Sequence, residues 1–283
     1  MTQSADSDGH CAFLHSEKLK GNFVRTFHRR VLHSLLICLL LAAGTQAFAQ
    51  QYDYPSRPIR LVFPYPPGGF TDILGRLIAE KLSVSMNQPV IVENKGGGGS
   101  TIGTGFVARS PGDGYTLLLV APDIANNESL IPTWLTYDVR KDFTPIIQAA
   151  WSPMVLVTNP ALPVSSVKEF IALAKAEPGK INFGSGGEGT GSHLALEMFK
   201  SRAGINVLHV PYKGNGPAMM ALLGGQVSAM FLQYAVARPQ IAAGKLHVIA
   251  TPSGKRSPAI PNVPTIAEAG LAGFDVQPWF GIM

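Results

Sequence analysis

Residues 59–82 read IRLVFPYPPGGFTDILGRLIAEKL, and the three parts of this stretch decide the fold. Ile59 to Phe63 is an apolar run of strand length. Pro64-Tyr65-Pro66-Pro67-Gly68-Gly69-Phe70 is a Pro/Gly turn. Thr71 or Asp72 then caps a helix in which Ile73, Leu74, Leu77, Ile78 and Leu82 recur at helical spacing. A strand that delivers a Gly-Gly turn to a helix start presents backbone N–H groups at the positive end of a helix dipole, which suits an anion. For this stretch alone, an ordinary βα unit with a conformationally required Gly pair is the plainer reading. A second such device, from Gly184 to His193, raises the functional one.

Outward from this unit, residues 89–93 and 115–120 read as strands, residues 100–109 as a helix, and Gly112-Asp113-Gly114 as a turn. The order β-α-β-α-β predicts a parallel sheet with helices on its faces. Such sheets bind ligands beyond the strand C-termini, where Gly68-Gly69 and Ala121-Pro122-Asp123 would both lie. Residues 122–145 read as irregular. Residues 154–157, 180–183, 207–210, 227–231 and 246–250 read as further strands. Residues 166–176 form a helix capped by Ser165 or Ser166, residues 194–202 one that buries Leu194, Met198, Leu196 and Phe199, and residues 217–223 a third with Pro at its start. The second half repeats the α/β theme without repeating the sequence.

Nearly half of the 283 residues are hydrophobic and only 14% are charged, so a large core is available. The net charge is +5; five Lys/Arg and three Asp/Glu fall in residues 1–49, which leaves +3 beyond them. That small excess, with no Lys/Arg run, argues against a nucleic-acid surface and fits an anionic small ligand.

Arg25, Arg29 and Arg30, an apolar run over residues 35–43, and Ala47-Phe48-Ala49 follow the order of a secretory signal peptide cut after Ala49. The run is short of the about 20 residues a spanning helix needs. Cys38 lies inside it rather than closing it, so a lipid anchor does not fit. Residues 1–24 match no targeting element, and the reading places the natural start further on. Cys11 and Cys38 are the only cysteines and both are removed. The mature protein therefore has no disulfide, no thiolate nucleophile and no Cys metal ligand, and it is expected in the periplasm.

Most catalytic motifs fail. The loop over residues 184–189 matches G-x-G-x-x-G, but a dinucleotide site needs an acidic residue about 20 positions on, and residues 200–265 contain no Asp or Glu. Thr190 stands where a phosphate-binding loop needs Lys. Ser165-Ser166-Val167-Lys168 matches S-x-x-K at a helix start, where capping explains it. His209 and His247 sit in apolar strands as core or satisfied groups, whereas His193 follows the Gly loop and can face a ligand. No cofactor and no metal ligand set is expected. Two Gly-rich turns remain, each opening a helix in successive halves. If the halves face each other, a carboxylate is held there by N–H groups and hydroxyls such as Thr71, Ser185, Thr190 and Ser192, without an Arg. Closure of the halves over the ligand is the expected motion.

Tyr54-Pro55-Ser56-Arg57-Pro58-Ile59, Pro66-Pro67-Gly68-Gly69-Phe70-Thr71-Asp72, Gln88-Pro89-Val90-Ile91-Val92-Glu93-Asn94, Asp113-Gly114-Tyr115-Thr116-Leu117, His209-Val210-Pro211-Tyr212-Lys213-Gly214 and Val263-Pro264-Thr265 with Ala267-Glu268-Ala269-Gly270 resemble, in the same order, the Bug family. These are the TctC-like extracytoplasmic solute receptors of tripartite tricarboxylate transporters. The resemblance implies a type II periplasmic-binding-protein fold, α/β, with two lobes closing on a carboxylated ligand. It implies a first lobe over residues 50–152 with 276–283 returning to it, a second lobe over 153–275, and residues 1–49 as extension and signal peptide. It implies a monomer with two membrane partners, one large and one small permease subunit, driven by an ion gradient.

Carried over position by position, the first-lobe contacts are Tyr65, Pro66, Gly68, Gly69, Phe70, Thr71 and Asp72. Those of the second lobe are Gly184, Ser185, Gly187, Glu188, Gly189, Thr190, Ser192 and His193, with Tyr212, Lys213 and Gly214. Pro66 and Phe70 replace the Ala and Ser of many members, and Phe70 adds bulk or favours an apolar ligand body. Leu232 stands where Asp is common, which leans away from an amino-acid ligand. Trp279 to Met283 corresponds to the strand returning to the first lobe; further helices and strand follow it in the family, so the resemblance implies an incomplete first lobe. Two rivals stay open: an exported hydrolase using Ser185 or Ser192 with His193, and a ligand sensor reporting to a membrane kinase.

Overall fold

The computed structural model describes residues 54–283, and Pro55–Met283 forms one compact unit. The expected signal peptide and both cysteines lie outside the described residues. Among those described, no helix is long and apolar enough to cross a membrane.

Among the described residues, ten strands form two five-stranded sheets. In the first, β1 (Ile59–Phe63) pairs in parallel with β2 (Val90–Asn94) and β3 (Thr116–Val120), as the β-α-β-α-β order predicts. The sheet is completed by β4 (Ile147–Trp151) and β10 (Trp279–Ile282), and β10 runs antiparallel between β3 and β4. The second sheet orders as β7 (Leu208–Pro211), β6 (Asn182–Ser185), β8 (Ala229–Gln233), β5 (Met154–Thr158) and β9 (His247–Ala250). Here β6 is parallel to β7 and β8, while β5 is antiparallel to β8 and β9. The chain passes from β4 straight into β5 and returns into β10. At this crossing the Ser152 N–H donates to the Pro278 carbonyl (3.4 Å). The result is two α/β lobes with a cleft between them.

Alternation explains why β1 and β3 are apolar throughout. Ile59, Leu61, Phe63, Leu117 and Leu119 pack on one face of the first sheet, and Val62, Leu118 and Val120 on the other. The second lobe has one continuous core, with Phe170, Phe183, Phe199 and Phe231 in ring contact at 5.5–6.3 Å.

Helix α1 (Phe70–Met86) departs from expectation in two ways. Its N-cap is Gly69, with no side-chain cap; Thr71 and Asp72 lie inside the first turn. Asp72 instead turns its carboxylate back to the Gly68 N–H (3.3 Å), Arg76 and Asn94. The buried face is also the one with small residues. Gly75 and Ala79 lie against the sheet, and a Cβ on Gly75 would meet the Phe63 ring at 2.0 Å, so the helix sits too close for large side chains. Ile73 and Leu77 are left half exposed on the outer side.

The other α-helices among the described residues are α2 (Thr101–Ala108), α3 (Asp123–Leu130), α4 (Val167–Ala176), α5 (Gly191–Ala203), α6 (Asn215–Leu223) and α7 (Tyr234–Ala242). Helix α3 occupies part of the stretch read as irregular, because DIANNESL has no apolar period to reveal it. Helix α4 starts as expected: Ser166 accepts from the Glu169 N–H (3.2 Å), and Glu169 accepts from the Ser165 N–H (2.7 Å). Helix α5 buries Ala195, Leu196 and Phe199, while Leu194 and Met198 are only half buried. His247, expected in the core, is exposed at the start of β9.

Candidate functional site

The two Gly-rich turns face each other across the cleft. Residues 64–69 connect β1 to α1, and residues 186–190 connect β6 to α5. The approach is close: a Cβ on Gly214 would lie 2.7 Å from Pro66 Cγ, and one on Gly99 2.7 Å from the Glu188 carbonyl oxygen. The Asn126 amide donates across the gap to the Gly189 carbonyl (3.3 Å).

Helix N-termini converge on an inner cavity of about 50 Å³: those of α1, α5 and α6, with the starts of α3 (N-cap Pro122) and α7 (N-cap Gln233) also on its wall. The N-cap residues of α1, α5 and α6 are Gly69, Thr190 and Gly214, and none makes a side-chain cap hydrogen bond. Asp72 donates its N–H to the Gly69 carbonyl (3.2 Å), but the first two N–H groups of each helix have no partner within it and are available to an anion. The cavity wall contains no Lys, Arg or His among the described residues. Phe70 lies against Phe280 of β10 with the rings tilted by 49° (centroids 4.7 Å apart), and the two close its apolar side.

A hydrogen-bonded chain sets the polar wall. The Gly186 N–H donates to Ser192 Oγ (3.0 Å), Ser192 donates to Asn215 Oδ1 (3.2 Å), and Asn215 Nδ2 donates to Gln233 Oε1 (3.0 Å). This chain leaves the Gln233 NH2 as its donor end. On the opposite wall the buried Tyr65 hydroxyl donates to Asp123 Oδ1, and Asp123 Oδ2 makes no hydrogen bond. Burial pushes the Asp123 carboxyl up, against the pull of Ser100 and Tyr65. Burial and the Asp123 charge push the Tyr65 phenol well above its ordinary value.

Eight expected residues line the inner cavity: Tyr65, Pro66, Gly69 and Phe70, with Thr71, Thr190, Ser192 and Gly214. Gly187, Glu188, Gly189, His193, Tyr212 and Lys213 line a wider outer chamber instead. Gly68, Asp72, Gly184 and Ser185 line neither. Asp72 anchors the first turn. Its pKa is lowered, because the Arg76, Gly68 and Asn94 hydrogen bonds outweigh the cost of its burial. Gly184 and Ser185 end β6 beneath the second turn and are buried. Reading the residues alone missed Asn215 and Gln233. Gln233 ends β8, so the strand-end rule that placed Asp123 at the crevice points to it as well.

Ser185, His209 and Glu188 superficially resemble a hydrolytic triad. Ser185 Oγ lies 2.6 Å from His209 Nε2, and His209 Nδ1 lies 3.6 Å from Glu188 Oε1. Ser185 is fully buried, however, and its oxygen already accepts the Gly187 N–H (3.1 Å), so no substrate carbonyl reaches it. His193 pairs with neither serine; its Nδ1 accepts the Gly189 N–H (3.1 Å). Glu188, His193 and His209 bring ligand-type atoms within 4.8 Å of one another. The imidazoles are stacked at 4.3 Å and 13°, so their in-plane lone pairs run side by side instead of meeting at one ion.

Residues 74–283 match the family model of the tripartite tricarboxylate transporter family receptor. Protein BugT of Bordetella pertussis is 41% identical over 246 residues, covering 86% of this chain and 75% of BugT. The structure of R. palustris Rpa4515 with adipate is 36% identical at a TM-score of 0.79, covering 81% of this chain and 77% of that one. MatC from Rhodopseudomonas palustris with bound malate is 31% identical at a TM-score of 0.76, covering 81% of this chain and 78% of that one. These relatives are binding proteins rather than enzymes. The chain is a solute receptor belonging to the tripartite tricarboxylate transporter receptor family, the Bug and TctC proteins.

Proposed function

We propose that this receptor grips the carboxylate of a small metabolite between two lobes, residues 50–152 with 276–283 and residues 153–275. It works in the periplasm as a monomer, after removal of a signal peptide cut after Ala49. It delivers its cargo to a permease of one large and one small subunit, driven by an ion gradient, and carries out no chemistry on it. The observation that carries this reading is the convergence of several uncapped helix starts on one cavity whose wall has no cationic side chain. Amide donors there hold an anion with little reorganisation, because the backbone already aims them. The malate and adipate of the two related structures are acids of the expected kind.

The test is a thermal-shift screen of the full chain against di- and tricarboxylates, aromatic acids and amino acids. A ligand at 100 times its Kd adds about 2.7 kcal/mol to stability and raises Tm. Silence across the whole panel would sink the reading.

A further inference from the structure

Among the described residues, Asp123 is the one acid on the wall of the inner cavity, and it is 2% exposed. Its Oδ1 accepts from Tyr65, whereas its Oδ2 has no hydrogen-bond partner. A buried carboxylate oxygen left without a donor is costly, so this one calls for a partner. The protein supplies no counter-charge. The titratable groups beside Asp123 are Tyr65 and Tyr137, phenols that burial raises and that stay neutral. Across the cavity the second lobe presents Gly186, Thr190, Ser192, Asn215 and Gln233, none of which titrates. Glu188, His193 and Lys213 stand in the outer chamber.

The helix starts around the cavity favour one negative charge, and Asp123 itself begins α3. A carboxylate seated on the amides brings a second charge into a space of about 50 Å³. Two carboxylates in one dry site do not both stay ionised; such a pair takes up a proton and shares it. The amides hold the solute's charge, while burial already pushes the Asp123 carboxyl up, so Asp123 is the one that yields. Once protonated, its Oδ2 turns from a stranded acceptor into a donor, and the oxygen it meets belongs to the solute.

We propose that the solute's carboxylate enters the inner cavity together with one proton from solvent, carried on Asp123 Oδ2 and donated to the carboxylate as an O–H···O hydrogen bond. This inference rests on the receptor reading and deepens it: capture is linked to pH through one residue. The test is isothermal titration of the full chain, at neutral pH and above, with adipate, malate and any other acid that raises Tm in the thermal-shift screen. Pairs of buffers that differ in ionisation enthalpy count the protons. Uptake approaching one proton per solute is expected, with affinity falling up to tenfold for each unit of pH. Asp123→Asn, which presents an N–H in place of the O–H, should abolish both the uptake and the pH slope. His193→Gln, which removes the nearest rival proton carrier, should keep them. Melting temperatures check that both variants fold. If the Asn variant binds no acid, infrared difference spectra of the unmodified chain decide: a protonated-carboxyl C=O band must appear as the acid is added. No uptake, uptake that survives Asp123→Asn, or no such band overturns the inference and leaves the receptor reading standing. Binding of no acid at all overturns both.

Discussion

The two turns that meet at the inner cavity do the same job with different materials. The first, residues 64–69, carries three prolines and is seated from below: a Cβ on Gly96 would lie 2.8 Å from Pro66, and one on Gly103 2.7 Å from Pro64. Its conformation is fixed mainly by rings and by contact, with Asp72 at the Gly68 N–H (3.3 Å) and Asn94 at the Tyr65 carbonyl (3.1 Å) as its polar ties. The second, residues 186–190, contains no proline and is tied by Ser185, Thr190, Ser192, His193 and Asn215. A turn held by rings tolerates the loss of a polar side chain, whereas one held by a hydrogen-bond web leaves buried donors stranded when a knot is removed. The second turn should therefore be the more sensitive to mutation.

The largest effect is expected at Gly187. Its φ of 118° is closed to L side chains, and a Cβ there would lie 2.8 Å from the Tyr212 carbonyl oxygen. Gly187→Ala should cost about 2–4 kcal/mol, combining left-handed strain with a clash against backbone, and should weaken ligand binding in titration. Ser192→Ala comes next. It strands the Gly186 N–H and the Asn215 side-chain carbonyl, at about 1–3 kcal/mol, read from denaturant midpoints at constant slope.

Acid probes the same turn from another side. Burial, helped by the neighbouring His193, pushes the His209 pKa below 6.5 despite the pull of Glu188. The unfolded chain then takes up this proton more readily than the folded one, so stability rises with pH. The contribution is complete above 6.5 and is lost as pH falls through the folded value. Tm should drop on acidification through this range, and His209→Gln should flatten the slope. The smallest effect belongs to the first turn. Gly68 has a φ of 87°, but a Cβ there would meet nothing within 4 Å, so Gly68→Ala should cost only about 1 kcal/mol. A cost equal to that of Gly187→Ala would erase the distinction between the turns.

Much of this was legible in the residues because it is local. The apolar run of β1, the turn after it and the Gly-rich turn after β6 each announce themselves within a few positions, and Ser166 caps α4 as its spacing with Glu169 requires. Elements held by tertiary contact stayed hidden. Helix α3 is polar, α7 carries Pro239 inside it, and β4 leaves most of its residues exposed, so none shows a strong period. The buried side of α1 was also hidden, because large apolar residues mark a core-facing stripe only where the neighbour leaves room for them, and Phe63 does not. Ser185 and Asp72 looked like ligand contacts because they belong to the right turns. Which way each points depends on His209, Arg76 and Asn94, none of them part of the turn it steadies.

By itself the sequence determined the two α/β lobes and the pair of Gly-rich turns that open helices, since backbone freedom and apolar alternation act over neighbouring residues. Only the tertiary structure decided that these helix starts share one small space, that Asn215 and Gln233 complete it, and that a wider chamber beside Trp134 opens from it. Those facts depend on distances between segments far apart in the chain, Gly69 and Thr190 among them, which packing sets and no local pattern records.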